Sequence, residues 1–283
     1  MLAPLRTFGL LRRYATVYVS LLLLGGICLA WSLIALPVYA LVPRRAGAAF
    51  GRWGISRTFC LYVWSLRVMR AYQLDLSELA ELKHETALIL APNHPHLIDA
   101  LLLLTVHANM VCIMKSRLMY NVFLGAGSRL ARFIRNDPPR RMISEAVEVL
   151  REGGVLLLFP EGTRTVRFPV NEFQLTVGAI AKHAQVPVQT LLIETDSPYL
   201  SKGWTLFHVP ELPIRYRVRL GRRFEPPADV RAFTATLAAY FAAELAGSPQ
   251  RSWLPQRAPE AVGLKCAHHA RHVDDPSGTG TQL

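Results

Sequence analysis

Cysteine is scarce and scattered in this chain. Its 283 residues include four, Cys28, Cys60, Cys112 and Cys266, with no CxxC pair. That argues against a metal cage or a disulfide framework and suits reduced thiols facing a cytosol. Acidic residues are also few, 20 against 32 lysines and arginines, so the formal net charge is +12. An excess of this size fits nucleic acid, an anionic membrane surface or acidic small substrates. Zinc-finger spacing, an aromatic RNP-like strand and a lysine-rich arm are all missing, which removes nucleic acid from the partners. No internal repeat is visible. Between Arg13 and Arg44 there is no charged residue of either sign.

That uncharged run, residues 14–42, exceeds the roughly 20 apolar residues needed to cross a bilayer core. Val38-Tyr39-Ala40 looks like a signal-peptidase site, but the run is far longer than the ~7–15 residues of a secretory h-region. Arginines flank it on both sides, and the second flank, with Arg44, Arg45, Arg52 and Arg57, is favoured as cytoplasmic. Equal basic flanks also fit a helix that enters the membrane and returns. A second helix is expected over residues 50–72, where Arg52, Arg57, Arg67 and Arg70 fall within about 140° at 100° per residue. Together with Trp53, Phe59, Tyr62 and Trp64 this is an interfacial pattern, arginines at headgroup level and aromatics below. Residues 1–73 are therefore expected to attach the protein to a membrane.

From residue 86 the texture becomes alternating strand and helix. Short apolar runs at 86–91 and 154–159 each stop at a proline, as buried strands opening into loops. Asp137-Pro138-Pro139 starts a helix that Gly153 stops. Further helices are expected at 171–185 and 229–245 and a strand at 187–193. Over 214–220 apolar residues alternate with Arg215, Arg217 and Arg219, a half-buried strand with a basic outer face. This predicts an α/β domain at 74–254, a central, mainly parallel sheet flanked by helices, followed by a flexible tail at 255–283.

Loops after strands of such sheets are where ligands bind. The first reads Pro92-Asn93-His94-Pro95-His96-Leu97-Ile98-Asp99. Histidine is the side chain best matched to taking a proton from a hydroxyl near neutral pH, and a carboxylate on its other nitrogen fixes the tautomer. His94 and Asp99 can pair only if His94 sits in the loop and Asp99 on the first helical turn; Pro95 favours that break. The second loop reads Phe159-Pro160-Glu161-Gly162-Thr163-Arg164-Thr165. Glycine lets backbone N–H groups approach an anion, Thr163 and Thr165 carry donor hydroxyls, and Arg164 can clamp a phosphate. His96 is expected at the entrance to the site, with His183 and the tail histidines solvated. A metallohydrolase reading of His94-Pro95-His96 with Asp99 lacks a further histidine ligand, because Ala100 follows. A non-catalytic membrane scaffold is the other alternative.

His-x4-Asp after a buried strand, followed some sixty residues later by Phe-Pro-Glu-Gly-Thr-Arg, resembles the glycerol-3-phosphate and 1-acylglycerol-3-phosphate acyltransferases. The resemblance covers roughly residues 85–200. It implies a thioester donor, acyl-CoA or acyl-carrier protein, no cofactor and no metal, and a hydroxyl acceptor of lysophospholipid type. His94 would be the general base and Asp99 its orienting partner, with Glu161, Gly162, Thr163 and Arg164 forming the acceptor-phosphate loop. Lys115 stands where many members carry a lysine that could approach phosphate. Val186-Pro187-Val188 resembles the family's last block. Members also commonly have an N-terminal pair of membrane helices, and the expected location is a bacterial inner membrane with the domain on the cytoplasmic face. One block departs. Members show Gly-x-x-Phe-Ile-Asp-Arg where this chain has Leu130-Ala131-Arg132-Phe133-Ile134-Arg135-Asn136, so the guanidinium of Arg135 stands one place early. The acceptor could therefore be a different lyso-lipid, such as an ornithine- or polyene-type lipid.

Overall fold

The computed structural model describes residues 3–205 and 207–256. Its centre is a seven-stranded sheet made from β1 (Tyr72–Asp75), β2 (Leu88–Pro92), β3 (Met110–Met114), β4 (Ile134–Arg135), β5 (Val155–Leu157), β6 (Val188–Thr195) and β7 (Ile214–Phe224). The order is β1-β7-β6-β2-β5-β3-β4, with every neighbouring pair parallel except β6 and β7. The mainly parallel α/β sheet expected from the sequence is thus present. Alternation along the strands divides the core in two. Leu88, Leu90 and Leu157 face one layer, while Ile89, Ala91 and Leu156 face the other.

The second layer is conventional. Helices α5 (Pro139–Arg151), α6 (Thr176–Ala184) and α7 (Val230–Glu244) present Ala146, Leu150, Ile180, Leu237 and Phe241 to the sheet. Asp229 caps α7 by accepting hydrogen bonds from the N–H groups of Arg231 and Ala232, the interaction that stabilises a helix start.

The first layer is built from the N-terminal segment. Helix α1 (Ala3–Leu41) contains one stretch, Phe8–Leu41, long and apolar enough to cross a membrane. Helix α2 (Arg44–Val68) follows it, then the short α3 (Asp99–Leu103) and α4 (Gly125–Leu130). Along α1, Val17, Ser20, Cys28, Ser32 and Ala35 are buried, the helical repeat of a face packed on the domain, while Leu22, Leu33 and Leu36 remain exposed. Along α2, Ile55, Phe59, Tyr62 and Leu66 join the sheet's core. Phe50, Trp53, Leu61, Trp64 and Val68 point outward. The segment expected to act as an attachment device is therefore also one layer of the α/β sandwich. Arg52, expected at headgroup level, turns inward, donating to the Ala131 carbonyl and to Asn109 Oδ1. The expected helix over 50–72 ends earlier, because Arg70 adopts a left-handed φ of 54° and the chain enters β1. The helix expected from residue 171 begins at Thr176 instead, for reasons that lie in the site.

Glycine makes this layer close. A Cβ on Gly51 would fall 2.6 Å from the Ala131 nitrogen, so α2 meets the end of α4 backbone to backbone. A Cβ on Gly54 would fall 1.8 Å from the Trp31 ring, which also lies against Gly127. Trp31 is thereby wedged between α2 and α4. Gly54→Ala is expected to cost about 1–3 kcal/mol through overpacking. Thermal unfolding of the detergent-solubilised protein should show that loss, and show it shrink in a Trp31→Ala background. An equal loss in both backgrounds would mean the wedge is not what makes glycine necessary.

Candidate functional site

Because β2, β5, β3 and β4 are adjacent and parallel, the loops that follow them open along one edge of the sheet. The loop after β2 is anchored first. Asn93 Oδ1 accepts from the Ile193 N–H and its Nδ2 donates to the Ile193 carbonyl, fixing the loop's root to β6. His94 then stands outside helical geometry, and Asp99 is the first residue of α3, as their pairing required. His94 Nδ1 lies 2.9 Å from Asp99 Oδ2. Asp99 is fully buried, and its Oδ2 also accepts from the His96 backbone N–H at 2.7 Å. Its other oxygen, Oδ1, accepts from the Tyr216 hydroxyl at 2.7 Å. An ionised carboxylate only accepts, so Nδ1 carries the imidazole proton and Nε2 keeps its lone pair. The ring lies on Phe159, centroids 3.9 Å apart, and its side chain is 16% exposed.

The loop after β5 is tied to the first. Glu161 is buried, and its Oε1 accepts from the His94 N–H at 3.0 Å and from the Thr165 hydroxyl at 2.6 Å. Its Oε2 accepts from the Asn171 N–H at 2.8 Å, and the Thr165 N–H donates to the His94 carbonyl. Asn171 also bonds the Val166 N–H and the Arg164 carbonyl, and this is what holds residue 171 out of the expected helix. Burial pushes the Glu161 carboxyl above the ordinary carboxylate range, with the bonds from Thr165, Asn171 and His94 drawing it back. Glu161 and Thr165, expected to face an anion, are instead turned inward as the knot between the two loops. A carboxylate would repel a phosphate in any case.

The outer part of this loop is open. Gly162 has φ 64°, a left-handed conformation that favours glycine, and is exposed, and Thr163 is half-buried. Arg164 donates from Nη1 to the carbonyls of Leu200 and Ser201, each at 2.9 Å, which joins a third loop to the site. Partial burial lowers its guanidinium pKa, and the nearby Asp99 charge opposes that.

Lys115 and Arg135 lie farther along the same edge. Lys115 follows β3 and is exposed, and Arg135 pairs in register with Met114. At a strand spacing of about 4.8 Å, their strands stand roughly 10 and 14 Å from β2. Arg135 Nε lies 3.7 Å from Asp137 Oδ1, which offsets part of its charge. Asn136, in place of the family's arginine, accepts from the Ser116 N–H and so ties β4 to the turn after Lys115.

His96 is not at the entrance. It is fully buried between Tyr216 and Trp253, because its backbone N–H must face Asp99 and this directs the ring into the core. Burial lowers its pKa and keeps it neutral. His183 is exposed as expected, and the tail histidines lie outside the described residues. The role of Tyr216 is not apparent from the sequence. Its one signal was a hydroxyl-bearing ring on the inner face between Ile214 and Val218, where a phenol needs a partner.

Removing the knot tests it. Glu161→Ala leaves two backbone N–H groups and a hydroxyl without their acceptor, which should cost about 1–3 kcal/mol of stability. The kcat should fall with acceptor KM little changed, measured by thermal unfolding and steady-state kinetics. A stable variant altered only in acceptor KM would return Glu161 to the acceptor loop.

The chain is similar to known acyltransferases in sequence and in fold. Residues 73–194 match the family model described as Acyltransferase. A 1-acyl-sn-glycerol-3-phosphate acyltransferase from Pseudomonas aeruginosa is 23% identical over 193 residues, 66% of this chain and 73% of that protein. The crystal structure of the 1-acyl-sn-glycerophosphate (LPA) acyltransferase PlsC from Thermotoga maritima shares the fold, with TM-score 0.59 and 19% identity. That match covers 85% of this chain and 96% of the other. Residues 73–194, which match the acyltransferase model, span the sheet from β1 to β6 with both loops at its edge, and over this segment the chain is similar to the glycerophosphate acyltransferases.

Proposed function

We propose that this acyltransferase moves a fatty acyl group from a thioester donor, acyl-CoA or acyl-carrier protein, to the hydroxyl of a lysophospholipid-type acceptor resembling 1-acylglycerol-3-phosphate. The observation that carries the reading is the 2.9 Å contact between His94 Nδ1 and the buried Asp99 carboxylate at the open edge of a parallel sheet. With Nδ1–H held by Asp99, Nε2 takes the proton of the acceptor hydroxyl as its oxygen attacks the thioester carbonyl. The C–O ester bond forms, the C–S bond breaks, and the proton leaves with the thiol. Direct transfer needs neither a covalent acyl-enzyme nor a metal. The acceptor phosphate is assigned to Gly162, Thr163 and Arg164, with Lys115 and Arg135 farther out for the rest of the headgroup. Asn136 and the Arg135–Asp137 pair weaken that outer region as an anion site, which supports an acceptor whose headgroup differs from a bare phosphate.

Attachment to the membrane is assigned to the outward faces of α1 and α2. The buried face of α1 runs from Val17 to Ala35, so at 1.5 Å per residue about 27 Å of it lies along the domain. The helix therefore brings the domain to the bilayer surface. Beside it, the Ser32 hydroxyl holds the Phe123 carbonyl, in a turn where Tyr120 and Val122 are exposed. Exposed Trp53 and Trp64 on α2 suit the same interface. Thioester donors and the free thiols of Cys28, Cys60 and Cys112 favour the cytoplasmic face.

His94→Ala should lose ~10²–10⁴ of the rate with fold and membrane attachment intact. A folded variant keeping more than about a tenth of the wild-type turnover would defeat the assignment. Asp99→Asn should be severely impaired through loss of the tautomer. For Arg164→Ala, acceptor KM should rise more than kcat falls, because a phosphate clamp is much the same in ground and transition states. Lysine should restore only part of it. A rise in donor KM alone would assign the loop to the donor's phosphates. Assays of wild-type enzyme with a panel of lysolipids and both donor types identify the acceptor and donor directly.

A further inference from the structure

The carboxylate of Asp99 is shared unequally. Oδ2 takes two donors, His94 Nδ1–H and the His96 N–H, whereas Oδ1 has the Tyr216 hydroxyl. Tyr216 arrives from a distant part of the chain. It sits on β7, in register with Leu74 of β1 and Thr195 of β6, and its ring is among the largest fully buried side chains. We propose that Tyr216 is a positioning residue that sets the charge available to His94, by drawing electron density toward Asp99 Oδ1 and holding the carboxylate in one rotation. This rests on the assignment of His94 as the base.

The surroundings isolate this effect. The titratable groups that face the pair are the His96 ring from the same loop, Glu161 and Arg164 from the loop after β5, and Tyr72 and Tyr216 from β1 and β7. Burial keeps His96 neutral and raises both phenols well above their ordinary value, so they remain protonated donors across the working pH range. Glu161 is bound by Thr165, Asn171 and His94, and Arg164 Nη1 by two carbonyls. Deleting the Tyr216 hydroxyl thus removes one dipole from Asp99 without removing a formal charge. The density it had withdrawn returns to the carboxylate, which then stabilises the imidazolium more strongly. The base holds its proton to higher pH and becomes inactive over a wider acidic range.

Tyr216→Phe should therefore move the acidic limb of the kcat/KM profile for acceptor upward by about half a pH unit or more. Activity on the acidic side of the limb should fall up to about threefold for each half unit of displacement and recover at higher pH. A residue with a packing role alone would lower activity or melting temperature without moving the limb. Ring-fluorinated tyrosines at position 216 preserve the shape and strengthen the donor, so the limb should move progressively downward, a readout that stands even where the phenylalanine variant fails to fold. A limb that stays in place across the fluorinated series overturns the proposal, whatever happens to kcat. If His94→Ala is inactive while the limb stays fixed, only the role of Tyr216 fails. If His94→Ala remains active, the base assignment fails.

Discussion

A fully buried carboxylate is costly unless each oxygen has a donor, and at Asp99 the three donors come from separate places: the His94 ring, the His96 backbone and the Tyr216 hydroxyl. Much of the architecture follows from meeting that requirement. The loop after β2 must turn so that His96 offers its N–H, which sends the His96 ring into the core against Trp253. Strand β7 must run antiparallel beside β6 so that Tyr216 reaches under α3. Glu161 repeats the logic one layer out, where a second buried carboxylate gathers Thr165, Asn171 and the His94 N–H. The two loops are therefore tied together, and His94 is held from both ends.

The N-terminal helices contribute to the same rigidity. Because α2 supplies Phe59, Tyr62 and Leu66 to the core that includes Tyr216 and Leu102, the layer assigned to the membrane and the edge that carries His94 share one core. The segment assigned to membrane attachment is part of the fold, and removing residues 1–73 would strip a layer of the sandwich together with the first half of β1. The basic face of β7 also acquires a different meaning. Arg217 meets Asp75 and Glu78, Arg219 meets Glu194 and Glu244, and Arg223 meets Glu85. These arginines knit the sheet to its neighbours, which leaves them poorly placed to greet an acidic partner.

What could be read from the sequence was local. His94 and Asp99 are five residues apart with a proline between, so their pairing depended only on a loop-to-helix transition that Pro95 signals. Helix α7 was legible from Asp229, whose cap is a contact between near neighbours. Strands β1, β3 and β4 were missed because runs of four, five and two residues carry too little periodicity, and only their partners in the sheet define them. The bond between Tyr216 and Asp99 spans 117 positions, and nothing at either end encodes the other. Glu161 and Thr165 were misjudged for a related reason. A Gly-Thr-Arg turn can present its side chains outward or inward, and the choice is made by Asn171 and the His94 backbone, which the motif does not contain.

In the proposed mechanism Asp99 fixes the His94 imidazole with its proton on Nδ1 and its lone pair on Nε2, ready to accept from the acceptor hydroxyl. Nitrogen-15 NMR of histidine-labelled enzyme in detergent micelles measures this directly, with the His94 signal assigned by its loss in His94→Ala. With the imidazole neutral, the spectrum should show a protonated Nδ1 and a bare Nε2, and that preference should be lost in Asp99→Asn. A wild-type spectrum with the proton on Nε2, or an equal mixture of tautomers, would contradict it.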